Sequence, residues 1–193
     1  MAELSHVLSA FGLSASAGLN AYIPLLIIAL GARYFPQLIQ LGQPYDVLTS
    51  PWAIAALMIL LLVEVLADKI PVVDHVNDLL GMIIRPAAGA VLFAASTGSV
   101  ERLDPVLAII LGFVVAGATH GAKATARPVV TASTGGLGNP IVSTIEDVAA
   151  LMTSLVAVLA PLLIGVAIIF FVLLIGWWFM RRRTSQAMAG AGH

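Results

Sequence analysis

The chain has 193 residues, 60% hydrophobic and only 10% charged, with nine basic against ten acidic side chains and a mean hydropathy of +1.04. A soluble globular domain carries about 25% charged residues, so this composition excludes that class and points to helices that cross a bilayer, each needing about 20 apolar residues. With no cysteine there is no disulfide, thiolate metal site or cysteine nucleophile, and a net charge of −1 without a basic block excludes a nucleic-acid partner.

The N-terminus lacks the basic flank of a signal peptide and is expected to stay in the mature protein. A first span is expected from Val7 to Leu30, interrupted by the small and polar stretch Ser14–Asn20, and a second from Pro51 to Leu66. From Asp68 to Ile84 acids alternate with Val, Leu and Ile, too polar for a simple lipid-facing helix. A third span follows from Ile83 to Ala95, starting earlier if the acidic stretch belongs to it. The fourth is Pro105 to Ala118, after which Thr119 to Pro140, rich in Gly, Ala, Ser and Thr, reads as a helix end and irregular backbone. Ile141 to Met180 is about twice one span, and Pro161 divides it. Trp177 and Trp178 suit the membrane interface, with Arg181, Arg182 and Arg183 as a cytoplasmic anchor.

The expected fold is therefore an all-α polytopic membrane protein. It has one helical domain over 1–183, about six transmembrane or half-transmembrane helices, and a disordered tail over 184–193. With six crossings and both termini cytoplasmic, seven of the nine basic residues lie inside and only Arg33 and Arg102 outside; five crossings divide them five against four. The positive-inside bias favours six.

Ala-Ser-(Ala/Thr)-Gly occurs three times, at Ala15–Gly18, Ala95–Gly98 and Ala132–Gly135, and Arg-Pro twice, at Arg85-Pro86 and Arg127-Pro128. This pattern suits an internal duplication with interrupted helices, whose exposed amides and carbonyls bind solutes. Helix packing in membranes uses the same small residues. Asn20 and Asn139, each closing a glycine-rich stretch, carry amides that need partners if buried.

The charges carry the functional signal. A carboxylate at the bilayer centre costs about 2.5–3.5 kcal/mol and is usually paired and functional. Glu64 and Asp68 are four residues apart, as are Asp74 and Asp78, so each pair shares a helix face, with His75 between the second pair and a break expected at Pro71. His120, Lys123 and Arg127 fall within about 60° of arc on a helix continuing the fourth span. Glu146 and Asp147 open the next apolar run, where Ser143 or Thr144 would cap a helix N-terminus. Lys69 and Arg85 stand nearby to balance charge. Two readings stay open: an ion-pair lattice tying helices together, and a hydrated binding site in which crowded carboxylates carry protons and a histidine relays them.

Gly18-Leu19-Asn20-Ala21-Tyr22-Ile23-Pro24, Glu64-x-x-x-Asp68-Lys69-x-Pro71, Asp74, Asp78, Arg85-Pro86, His120-x-x-Lys123-x-x-x-Arg127 and Ser143-x-x-Glu146-Asp147 together resemble a bacterial integral-membrane family of unknown function, DUF4126, over about residues 5–180. That resemblance implies a bacterial inner-membrane protein and supplies no activity. Glu64-Val-Leu-Ala-Asp68-Lys69 is also similar to the Glu-x-Gly-Asp-Lys motif of cation exchangers, but has one residue more, lacks the glycine and is not repeated.

The function expected from these residues is transport, or channel conduction, of an ion or small polar solute. Glu64, Asp68, Asp74 and Asp78 would bind a cation or proton, and His120, Lys123 and Arg127 would balance them or hold an anion. No cofactor is expected beyond a bound cation. The partners are the bilayer, the solute and a second copy of the chain. The alternatives are an intramembrane enzyme acting on a lipid phosphate, with Asp74 and Asp78 holding Mg²⁺, and a membrane scaffold with structural ion pairs. The enzyme lacks an evident nucleophile–base pair and the fuller Asp-Gly-x-x-Ala-Arg signature.

Overall fold

The computed structural model describes residues 2–98, 100 and 103–190, less the side chains of 71, 72, 74, 75, 179 and 182–190. Arg102 lies outside the described residues, as do the side chains of Arg182, Arg183 and the segment expected as a tail.

Seven helices make up the described fold, with no strand among them: α1 Ala2–Leu19, α2 Tyr22–Tyr34, α3 Pro51–Ala67, α4 Pro71–Thr97, α5 Pro105–Thr134, α6 Asn139–Leu159 and α7 Pro161–Gly190, with a short 3₁₀ turn at Tyr45–Thr49 before α3. Proline punctuates them. Pro51, Pro71, Pro105 and Pro161 each open a helix, where a missing N–H costs nothing. Ser50 accepts from the Ala53 amide to cap α3, and Asp104 accepts from the amides of Val106 and Leu107 to cap α5.

Four helices are long and apolar enough to cross a membrane (Val76–Thr97, Pro105–Thr134, Asn139–Leu159 and Pro161–Trp178), and Tyr22–Tyr34 and Pro51–Ala67 are shorter apolar helices. The all-α polytopic membrane fold is as expected. Three local expectations change. The first span is interrupted only at Asn20 and Ala21, because Asn20 Oδ1 accepts from the amides of Tyr22 and Ile23 and starts a new helix there, while Ser14–Leu19 stays helical. The acidic stretch belongs to α4, which begins at Pro71 and carries Asp78 and Arg85 on one continuous helix. The stretch from Thr119 is not irregular: α5 runs on to Thr134 and ends at Gly135, whose φ of 61° is the left-handed conformation of a helix C-cap. Thr131 and Thr134 return their hydroxyls to the carbonyls of Arg127 and Val130, so these polar residues leave the helix intact.

The core is helix on helix with little side chain between. α4 and α5 form the most extensive pairing, and α1 lies against both and against α6. A methyl group added at Gly112 would meet the backbone of Gly89, and one at Gly89 would meet Ala116 and the Gly112 carbonyl. The two helices touch through their glycines, which is how membrane helices gain dispersion contact without a hydrophobic driving force. Gly112→Ala is therefore expected to lower stability by about 1–3 kcal/mol through overpacking. A fall in unfolding temperature in detergent, set against no change for Gly176→Ala, checks this; Gly176 has nothing within 4 Å of the added atom.

Candidate functional site

Where α3 ends, α4 begins, α5 passes and α6 starts, ionisable side chains from all four helices meet. α3 supplies Glu64 and, at its C-cap, Asp68; α4 supplies Asp78 and Arg85; α5 supplies His120, Lys123 and Arg127; α6 supplies Glu146. Asp68 and Arg85 are 2% and 1% exposed, and Glu64, His120, Lys123 and Arg127 are also buried. Each charge therefore depends on its partners, since an unpaired buried ion is prohibitively costly.

Arg85 organises one half. Its Nη2 donates to Glu64 Oε1 at 3.0 Å and its Nε to the same oxygen at 3.3 Å. Its Nη1 lies 2.9 Å from His120 Nδ1 and 3.5 Å from Asp78 Oδ1. Gly81 leaves room for this: an added Cβ would sit 3.2 Å from both Arg85 Nε and His120 Cε1.

Asp68 organises the other half. Its Oδ2 lies 3.3 Å from Arg127 Nη2, 3.5 Å from Lys123 Nζ and 3.9 Å from Arg85 Nη2, and accepts from Ser143 Oγ at 3.4 Å. Its Oδ1 accepts from Asn77 Nδ2. Glu146 Oε2 lies 2.9 Å from both Lys123 Nζ and Arg127 Nη2, and Asp78 Oδ2 lies 3.3 Å from Arg127 Nη1. Lys123 also donates to the carbonyl of Leu19, the last residue of α1, where a cation satisfies the helix C-terminus. The break between α1 and α2 thus reaches the cluster, and Asn20 Nδ2 extends it by donating to Asp147 Oδ1 at 2.9 Å.

Of the residues singled out from sequence, Glu64, Asp68, Asp78, Arg85, His120, Lys123, Arg127 and Glu146 converge, with Asn20 and Asp147 beside them. Arg85, expected only to balance charge, is the most buried base. Lys69 is exposed and donates to the carbonyl of Val65 in its own chain turn. Asn139 sits apart, accepting from Thr131 Oγ1 where α5 hands over to α6. The side chains of Asp74 and His75 lie outside those described. Ser143 and Thr144 do not cap α6, which begins four residues before Ser143 at Asn139: Ser143 turns inward to Asp68, and Thr144 bonds back to the Pro140 carbonyl. Asn77 was missed. An amide one residue before Asp78 on an otherwise apolar face was the available signal.

Beside the cluster a cavity of about 440 Å³ opens between α4 and α5, with Asp78 and Arg127 in its wall and Leu79, Met82, Pro128 and Thr131 around them.

The chain belongs to the family described as a domain of unknown function, DUF4126, whose family model matches residues 7–182. No curated protein and no solved structure matches the chain. The match spans every helix that contributes to the cluster. Nothing in these comparisons supports the likeness of Glu64–Lys69 to the cation-exchanger motif.

Proposed function

We propose that this chain is a small secondary transporter that moves an ion or small polar solute through the charged cluster, coupled to a proton or cation. The observation that carries this reading is the sharing of partners. Asp68 faces three bases, while Asp78 and Glu146 each face two. Each buried ion costs several kcal/mol of desolvation, and fixing helix register takes only one or two buried pairs. A lattice in which three of the four acids have alternative bases can instead rearrange around a bound charge. The helix break at Asn20, ending on Lys123 and Asp147, suits interrupted-helix binding sites near the bilayer midplane. The cavity at Asp78 and Arg127 supplies an approach.

The test is reconstitution into liposomes with a trapped pH-reporting dye. A proton gradient is imposed and alkali cations, inorganic phosphate, small carboxylates and amino acids are offered in turn. Protein-dependent proton movement linked to one of these is the expected result; its absence across the panel overturns the proposal. One observation favours a second reading, an enzyme acting on a lipid phosphate. The cavity wall combines Leu79 and Met82, which are more than half exposed, with the Arg127 guanidinium, a surface suited to an amphiphilic phosphate. Release of inorganic phosphate from phosphatidic acid in the same vesicles would support that reading.

We place both termini in the cytoplasm and the chain in a bacterial inner membrane. Buried bases should not count toward orientation, and Arg85, Lys123 and Arg127 are buried. Lys69 and the three terminal arginines still outweigh Arg33 and Arg102. Reporter fusions at the two ends are expected to agree on a cytoplasmic location, and an extracytoplasmic N-terminus would overturn the even crossing count.

A further inference from the structure

We propose that Glu64 carries an exchangeable proton on Oε2, with His120 as the positioning residue that orients the Arg85 guanidinium beside it. The inference rests on the transport reading for its use, and on the geometry around Glu64 for its existence.

Three observations lead to it. First, the described ion pairs join four carboxylates (Glu64, Asp68, Asp78 and Glu146) to three bases (Arg85, Lys123 and Arg127), so acid exceeds base. Asp147 and Lys69 at the rim do not change the difference. Second, the excess has an address. Asp68 has donors on both oxygens, Glu146 Oε2 and Asp78 Oδ2 each face bases, and Asp78 Oδ1, though it accepts no hydrogen bond, lies 3.5 Å from Arg85 Nη1; Glu64 uses only Oε1, and its Oε2 is buried without a hydrogen-bond partner. A bare carboxylate oxygen in a dry site is the costliest arrangement available, and an O–H bond there removes the charge. Third, the atoms do not suit a metal ion. Hard cations take about six or more oxygen ligands, and among the described residues no group of three or more His, Asp or Glu side chains is arranged to hold one.

His120 fixes the guanidinium that holds Glu64. Arginine has donors and no acceptor, so the 2.9 Å contact from Arg85 Nη1 makes His120 Nδ1 the acceptor and places the ring proton on Nε2. Glu64 and His120 are thus fastened to neighbouring nitrogens of one guanidinium, which holds Glu64 by Oε1 and leaves Oε2 bare. When the proton on Oε2 returns to water, the carboxylate stays paired through Oε1 with Arg85, whose orientation His120 fixes without bringing a new charge into the site. No electrons move in either direction. The charged and titratable groups facing Glu64 are Arg85 from α4, Asp68 from the end of α3, Lys123 from α5 and Tyr22 from α2.

The experiment is infrared difference spectroscopy of the purified full chain in nanodiscs, stepped through pH in a choline buffer. The carbonyl stretch of a protonated carboxylic acid is expected to disappear as pH rises. It should be lost completely in Glu64→Gln, be retained at a shifted position in Glu64→Asp, and titrate over a displaced pH range in His120→Asn. Glu64→Gln mimics the protonated acid and is expected to melt within a few degrees of wild type; should it aggregate, the Glu64→Asp band shift decides instead. A band unaffected by both Glu64 substitutions, or no band at any pH, overturns the proposal. So does loss of the band on adding sodium or lithium at constant pH, which would make the ligand a metal cation. The readout needs no flux, so a Glu64 band in a protein that transports nothing upholds the proton site and sinks only the transport reading.

Discussion

Replacing Arg85 with methionine is expected to lower stability by about 3–5 kcal/mol, the usual effect of removing one partner from a buried ion pair. Methionine fills much of the same volume, so the loss is electrostatic. Asp78 keeps Arg127 at 3.3 Å but loses Arg85, and His120 Nδ1 loses the donor that fixes its tautomer. The measurement is unfolding temperature in detergent, with monodispersity as a control. Second-site changes then report which acids are ionised. Arg85→Met with Asp78→Asn restores charge balance and is expected to recover part of the loss. Arg85→Met with Glu64→Gln is expected to recover little, because a Glu64 that already carries a proton contributes no charge to remove. Recovery by Glu64→Gln alone would mean that Arg85 and Glu64 form an ordinary salt bridge.

Spacing alone showed half of this site. Residues four apart share a helix face, so Glu64 with Asp68, and His120, Lys123 and Arg127 as a set, were legible before any coordinates. Periodicity cannot tell which helices face one another. Arg85 was therefore expected only to balance charge nearby, when α4 turns it inward onto Glu64 and His120. Composition misled over Thr119–Thr134, where small residues that elsewhere mark loops continue α5, and Thr119, with the Ala116 carbonyl just before it, lies against Gly18 of α1. The break at Asn20 was visible as an interruption. Its length was not, because that depends on one amide oxygen meeting two backbone N–H groups.

Asp68 separates a transport site from a structural lattice. Asp68→Asn is expected to abolish flux and to lower stability by about 3–5 kcal/mol. Both oxygens accept bonds, Oδ1 from Asn77 and Oδ2 from Arg127 and Ser143, with Lys123 at 3.5 Å. An amide offers one acceptor and one NH₂: with its oxygen toward Arg127 and Ser143, its NH₂ meets Asn77, whose own amide can turn to accept, but one buried base loses its charge partner. Loss of flux in this variant alone therefore decides nothing. The informative construction adds Lys123→Met, which removes a base and leaves Arg127 with Glu146 at 2.9 Å. Asp68→Asn with Lys123→Met is expected to melt within a few degrees of wild type and still to move no solute, because neither the amide nor the thioether can exchange a charge. Full flux in that double variant, with unchanged dependence on the imposed gradient, would reduce Asp68 to a structural partner and return the cluster to the role of holding helices together.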